Sequence, residues 1–340
     1  MRRVPIALGA GLLGLLTACS SPGQPSHPGH PSASATAKPA QLTSVEAKAA
    51  FGSFLPRFEQ IPTKKALIPV LTTGVEAQAQ EFFQGRAGPP LGSPTAEAFY
   101  VPRLTGYPRW FLAAGHGAKS ADFALVMVQQ SASSPWKCAA ELIDWDSASH
   151  LLQALTAVDQ DAQGYAAVIP PDDPSLAVAP SSLSQAYASL LNAGARGTGA
   201  KLFAAGTNTT GYVAINRRLA AHGRQYGWRI TDSQRGTAGP IYALALGTGA
   251  LVIYLTKDTA AWEAVSSSAV LPGSASKAAS YYAPPSFMVG GMAKSAVRPG
   301  LRLTASAADS VLALVPPKGQ GKVDVLVNTG EATSYTTLAG

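Results

Sequence analysis

The stretch "RWFLAAGHGAKSADFALVMVQQ", residues 109–130, decides the fold class. Two apolar runs, "RWFLAAG" (109–115) and "DFALVMVQQ" (122–130), flank a short segment of Gly, His, Lys and Ser. Each run is short for a helix and rich in aromatic and branched side chains, so the pair reads as an antiparallel hairpin. Working outward, "AFYVPRL" (98–104) and "WKCAAELIDW" (136–145) add a strand on either side.

The hairpin has an echo about 140 residues further on, where "GPIYALALGTGALVIYLTKDT" repeats a strand, a Gly-containing turn and a very apolar strand that ends polar. A duplicated unit leaves such a trace, and so does a chance likeness of two apolar hairpins. Further strands are expected at 228–234, 301–307, 309–316 and 323–329, with a long loop over 266–286. Helical spacing marks 43–60, with Ser44 as N-cap and Pro56 as an interruption, and 67–85, closed by Gly85. Two more helices are expected at 181–194, capped by Ser181 or Ser182 and stopped by Gly194, and at 210–227, with Val213, Leu219 and Ala220 inward.

Helices grouped ahead of a meander of strands predict an α+β fold with antiparallel sheets, not alternating βαβ units. Length predicts two domains, 45–160 and 175–335, each with N-terminal helices packed on a curved antiparallel sheet. That element order resembles the cone-shaped fold of nuclear transport factor 2 and the SnoaL-type proteins, and the resemblance implies a sheet able to enclose a small apolar ligand. Trp110, Trp228, Tyr242 and Tyr254 fall on strands, where core packing is the default and the lining of such a cavity the alternative.

The N-terminus carries an address. Met1, Arg2 and Arg3 precede fifteen uncharged, mostly apolar residues, 4–18. The run is shorter than the ~20 residues of a spanning helix and has the flanks of a signal peptide. It ends in Leu16, Thr17, Ala18 and Cys19, which resembles the lipobox of bacterial lipoproteins in all four positions. The resemblance implies cleavage after residue 18, acylation of Cys19 and attachment to the extracytoplasmic face of the cell membrane through membrane lipid; two or more acyl chains anchor stably where one does not. Residues 19–44, built from Ser, Pro, Gly and Ala, form a tether too poor in large apolar side chains to fold. The segments "YPRWFLAA" (107–114), "PWKCAAEL" (135–142), "DAQGYA" (161–166), "LFAAGTNTTG" (202–211) and "GWRIT" (227–231) are similar to a family of uncharacterised actinobacterial lipoproteins, over about residues 100–260. Such a family implies an envelope setting and assigns no catalytic residue.

The chemistry is quieter. The chain has 26 Lys+Arg against 19 Asp+Glu, and loss of Arg2 and Arg3 would leave a net charge of about +5. The cations are scattered, so no nucleic-acid partner is expected. Cys138, the second of two cysteines, reads as a small buried apolar residue. His27 and His30 lack a third ligand nearby. Ser134–Lys137 and Ser274–Lys277 have the Ser-x-x-Lys spacing without the partner motifs of a penicillin-binding site. "GTGAKL" and "GTGALV" are turn glycines. Asp159, Asp161, Gln163 and Gly164 open like a calcium loop, but Pro170 stands where the closing Glu belongs, which favours a turn. His116, His150 and His222 read as exposed polar residues.

No catalytic, cofactor-binding or metal residue is therefore expected, and Cys19 is the one assigned site, a lipidation site. The expected function is that of a non-enzymatic envelope lipoprotein meeting an envelope protein or a small apolar ligand. A solute-binding component of a transporter and an envelope hydrolase or isomerase with a cryptic site are the alternatives.

Overall fold

A computed structural model describes residues 41–59, 94–117, 121–144, 150–271, 282–284, 289, 292 and 294–338. Cys19, the signal segment 1–18, nearly all of the tether, the expected helix 67–85 and much of the loop 266–286 lie outside the described residues.

Helix α1 (Ser44–Glu59) starts at the residue expected to cap it. Thr43 Oγ1 accepts a hydrogen bond from the Glu46 amide at 3.2 Å, and Glu46 Oε2 accepts one from the Thr43 amide at 2.7 Å. This reciprocal capping box makes Thr43, not Ser44, the N-cap. Pro56 falls in the last turns, and the helix continues through it to Glu59.

Strands β1 (Thr95–Pro102), β2 (Arg109–His116), β3 (Asp122–Gln129) and β4 (Lys137–Asp144) form an antiparallel meander, and the two-residue β5 (Tyr165–Ala166) adds to β1 in parallel. Alternation along the hairpin of β2 and β3 sends Phe111, Ala113, Phe123, Leu125 and Met127 toward Phe51 and Phe54 of α1. Their neighbours Leu112, Ala114, Ala124 and Val126 face the other way, into a second core. Both faces of the sheet are buried, which explains why these strands read as unbroken apolar runs.

The second sheet supplies the rest of that core. It contains β6 (Trp228–Gly236), β7 (Tyr242–Leu246), β8 (Gly249–Ala264), β9 (Arg302–Val315) and β10 (Asp324–Leu338). The order is β10-β9-β8-β6, with β7 pairing the first part of the long β8 and β6 the remainder. Leu244, Leu251, Ile253, Leu312 and Val327 meet the first sheet, together with Leu151 and Leu155 of the short helix α2 (Leu151–Leu155). The opposite face carries Ala250, Val252, Tyr254, Val311 and Ala313, covered by Leu183, Tyr187 and Leu191 of α3 (Pro180–Ala193) and Val213 of α4 (Tyr212–His222). The layers are thus α1, first sheet, second sheet, and α3 with α4.

Free sheet edges invite wrong pairing, and here side chains cover them. At β4, the Ile143 amide donates to Thr329 Oγ1 at 2.9 Å, and Thr329 donates back to the Ile143 carbonyl at 3.2 Å. At β6, Asn192 of α3 donates to the Gln234 carbonyl and accepts from its amide, both at 2.7 Å. Each contact ties a strand edge to a different layer. The described residues belong to one compact unit, and isolated bridges Val158↔Leu246 and Val168↔Leu244 join the segment between the sheets to β7.

Several local expectations are corrected. The strands foreseen at 301–307 and 309–316 are one strand, β9, and β8 runs to Ala264, beyond the run "ALVIYLTK" (250–257) that reads as its strand. Asp309 opens an expected strand and Asp258 follows the end of another, yet both lie inside strands. Helix α3 begins at Pro180, and Ser181 spends its hydroxyl on Asp172 at 2.6 Å instead of capping. Gly194 does end α3, at φ +59°. The expected helix 210–227 is a π turn (207–211), α4 and a 3-10 turn (223–226), with Val213 buried, Leu219 half-buried and Ala220 exposed.

Candidate functional site

The outer helical layer carries a groove of about 690 Å³. Leu190 of α3, Ala195, Ala200, and Val213 with Ala214 of α4 line its apolar part. Lys201, Arg217 and Lys322 line it as well, and none of its lining residues is acidic. Backbone pairing sets two of these cations. The Val323 amide donates to Leu202 O and the Ala204 amide to Val323 O, both at 2.8 Å. That parallel contact holds the turn bearing Lys322 beside the segment bearing Lys201. Gly194 leaves room for Arg217: a Cβ there would come within 2.3 Å of its guanidinium, and its φ of +59° is one that side chains rarely adopt.

A sequence signal for this groove exists. Between Asp173 and Asp232 the chain has no acidic residue and six Lys or Arg, at 196, 201, 217, 218, 224 and 229. Five of the six belong to the helical segments, while Arg229 lies on β6 and pairs with Glu263. Such a surface attracts anions by its summed field.

Beneath α4, on the helix-facing side of the second sheet, lies the opposite arrangement. Asp232 and Gln234 of β6, Thr256 and Asp258 of β8, and Asp309 of β9 share one face, with Gln234 opposite Asp258 and Thr256 opposite Asp309. Gln234, Thr256 and Asp309 are at most 5% exposed, while Asp232 and Asp258 are half-buried. Asn216 of α4 donates its amide to Asp232, Gln234 reaches Tyr212 OH at 3.5 Å, and Thr256 donates to Asp309 at 3.2 Å. Asp232 Oδ1, Asp258 Oδ1 and Gln234 Oε1 are buried without a donor.

Burial, then hydrogen bonding to Asp232 and the charges of Asp232 and Asp309, push the Asp258 carboxyl far above the usual range. Burial pushes Asp309 up to about 6 against the hydrogen bond from Thr256. Tyr212, facing all three carboxylates, is raised by burial and by their charges. Of these carboxyls Asp258 is the one whose surroundings most strongly favour the protonated form.

The residues weighed from sequence lie elsewhere. Asp161 accepts from the Gln163 and Tyr165 amides and pairs with Arg103, so its segment is a charged turn with Gly164 at φ +80°. Cys138 is fully buried, and burial together with the Glu141 charge raises its thiol. His116 contacts Asp122 at 2.7 Å at the end of β2, His150 precedes α2, and His222 ends α4. Trp110 and Tyr242 lie in the core between the sheets, Tyr254 under α3, and Trp228 in a separate core with its indole donating to Val270 O at 2.7 Å. None of these four aromatics is among the lining residues of the groove. Asp232, Asp258 and Asp309 were not foreseen, although the alternation Trp228, Ile230, Asp232, Gln234 already places Asp232 on a buried face.

Two stacked sheets with helices outside, and a cationic groove in one helical layer, define an α+β protein. Residues 85–336 match the family model described as "Domain of unknown function (DUF8094)", and the chain belongs to that family. An "Uncharacterized lipoprotein" of Streptomyces avermitilis is 31% identical over 180 residues, 49% of this chain and 49% of that protein. The chain thus matches about half the length of this relative. No solved structure matches. Among the described residues, no helix is long and apolar enough to cross a membrane.

Proposed function

We propose that this protein is a lipid-anchored, extracytoplasmic envelope lipoprotein that binds a small ligand and catalyses no reaction. The groove between α3 and α4 carries the reading. Its volume lies within the ~300–1,000 Å³ of small-molecule sites, and its lining is mainly apolar with a few polar groups set at the rim. The name of the Streptomyces relative and the run Leu16–Cys19 support attachment through acylated Cys19. On this reading the tether presents the groove away from the membrane surface, and each sheet with its outer helices is one cone-shaped unit of the NTF2 type.

The test is native mass spectrometry of the full-length protein extracted from bacterial membranes. A stoichiometric small molecule should accompany the wild type and be absent from Ala214→Trp, which fills the groove. A wild type that carries nothing, and takes up nothing from a lipid extract, would argue against the reading.

A second reading, an envelope hydrolase or isomerase, draws on the convergence of Asp232, Asp258 and Asp309, because carboxyls with raised pKa often mark acid–base sites. Hydrolysis or isomerisation of envelope substrates that Asp258→Asn abolishes would establish it.

A further inference from the structure

The groove's ligand class follows from its charge. Lys201 and Lys322 are brought side by side by the backbone contact of Leu202 and Ala204 with Val323, and Arg217 joins them on the same groove. All three are exposed, and none forms an ion pair among the described residues. Three like charges on one small groove repel one another. No acidic residue lies between Asp173 and Asp232, Asp232 is turned inward to Asn216, and Asp324, two residues from Lys322, forms no ion pair among the described residues. The groove's remaining lining, Leu190, Ala195, Ala200, Val213 and Ala214, offers hydrocarbon and small side chains. A bare anion would leave that surface wet, and a neutral hydrocarbon would leave the cations unpaired.

We propose that the groove binds an anionic amphiphile, with its phosphate, sulfonate or carboxylate head on Lys201, Arg217 and Lys322 and its apolar body along α3 and α4. This rests on the groove being the binding site. Lysines act as point charges and suit any acid head, while the Arg217 fork can take two oxygens at once. Gly194 leaves room for that fork, which a Cβ there would crowd.

The full-length protein, in phosphatidylcholine nanodiscs and corrected against empty discs, is titrated with 1-anilinonaphthalene-8-sulfonate and with N-phenyl-1-naphthylamine. The two share an aromatic body and differ by the sulfonate. The sulfonate should bind one per chain, at least tenfold tighter than the neutral probe, and weaken when salt is raised. Arg217→Gln, and Lys201→Gln with Lys322→Gln, should each weaken it five- to tenfold, leave the neutral probe unchanged and keep the wild-type melting temperature. Decyl phosphate should displace the sulfonate far more effectively than inorganic phosphate. Equal affinity for both probes, with Ala214→Trp abolishing both, overturns the anionic class and keeps the groove as a binding site. Saturable binding of neither probe overturns both. Displacement by inorganic phosphate as effective as by decyl phosphate overturns the amphiphile in favour of a free anion. Cation variants that bind the sulfonate as the wild type does overturn the head-group assignment.

Discussion

Trp110 of β2 and Tyr242 of β7 meet edge to face, with ring centroids 5.1 Å apart and planes at 65°. Each is two residues after a proline, Pro108 or Pro240, in the two hairpins that echo each other in sequence. The contact joins the two sheets within the core between them. Trp110→Ala should cost about 3–5 kcal/mol in urea unfolding, as large core truncations do. A double-mutant cycle with Tyr242→Ala should return a coupling of about 0.5–1.5 kcal/mol, the range of an aromatic pair. Strict additivity would mean that the contact contributes no more than its buried area.

The buried acids set how stability depends on pH. Asp309, at about 6 in the fold against an ordinary value of 3.8, binds its proton more tightly folded than unfolded. Its contribution is complete below pH ~4 and disappears as pH rises through about 6, and Asp258 extends the decline to higher pH. The melting temperature should therefore fall on going from pH 4.5 to 9. The exposed Glu46, Asp161 and Asp173 are shifted down, so their effect lies at lower pH and has the opposite sign. Asp309→Asn should remove its share of the slope between about pH 4 and 6, roughly 3 kcal/mol at most from its shift; Glu141, raised by burial to about 7, retains the rest of the acid part, and Asp258→Asn should remove the part above neutrality. A variant profile that parallels the wild type would rule these residues out as the source.

Asp309 also depends on its neighbour across β10. Gly330 lies opposite it, and a Cβ there would come within 2.1 Å of Asp309 Oδ1. Gly330→Ala should destabilise by about 1–3 kcal/mol as overpacking. Asp309→Ala should recover part of that loss in the double variant, measured by chemical denaturation, since it removes the obstructing carboxylate.

Thiol counting tests the anchor. Cys138 is buried and its thiol raised, so it should not react with N-ethylmaleimide in the native protein. Acylated Cys19 has no free thiol, so the mature protein should take up no label natively and one label per chain in denaturant. One label in the native state would show an unmodified Cys19.

The hairpins were legible because both faces of the sheets are buried, so β2, β3 and the start of β8 are apolar without interruption. The groove was not, because Lys201, Arg217 and Lys322 come from three separate segments. Nor was the acid cluster, since Asp258 and Asp309 fall at the boundaries of expected strands when taken one residue at a time.

By itself the amino-acid sequence determined the α+β class, the hairpins of the first sheet, the stop of α3 at Gly194 and the reading of Cys138 as a buried residue. These follow from local patterning, where burial imposes a period and turns need particular backbones. Only the tertiary structure decided that β9 is continuous through Asp309, that three aspartates share one buried face and that three cations line one groove. Those arrangements depend on strand register and on packing between layers. Their energies come from neighbours distant in the chain, which no local pattern records.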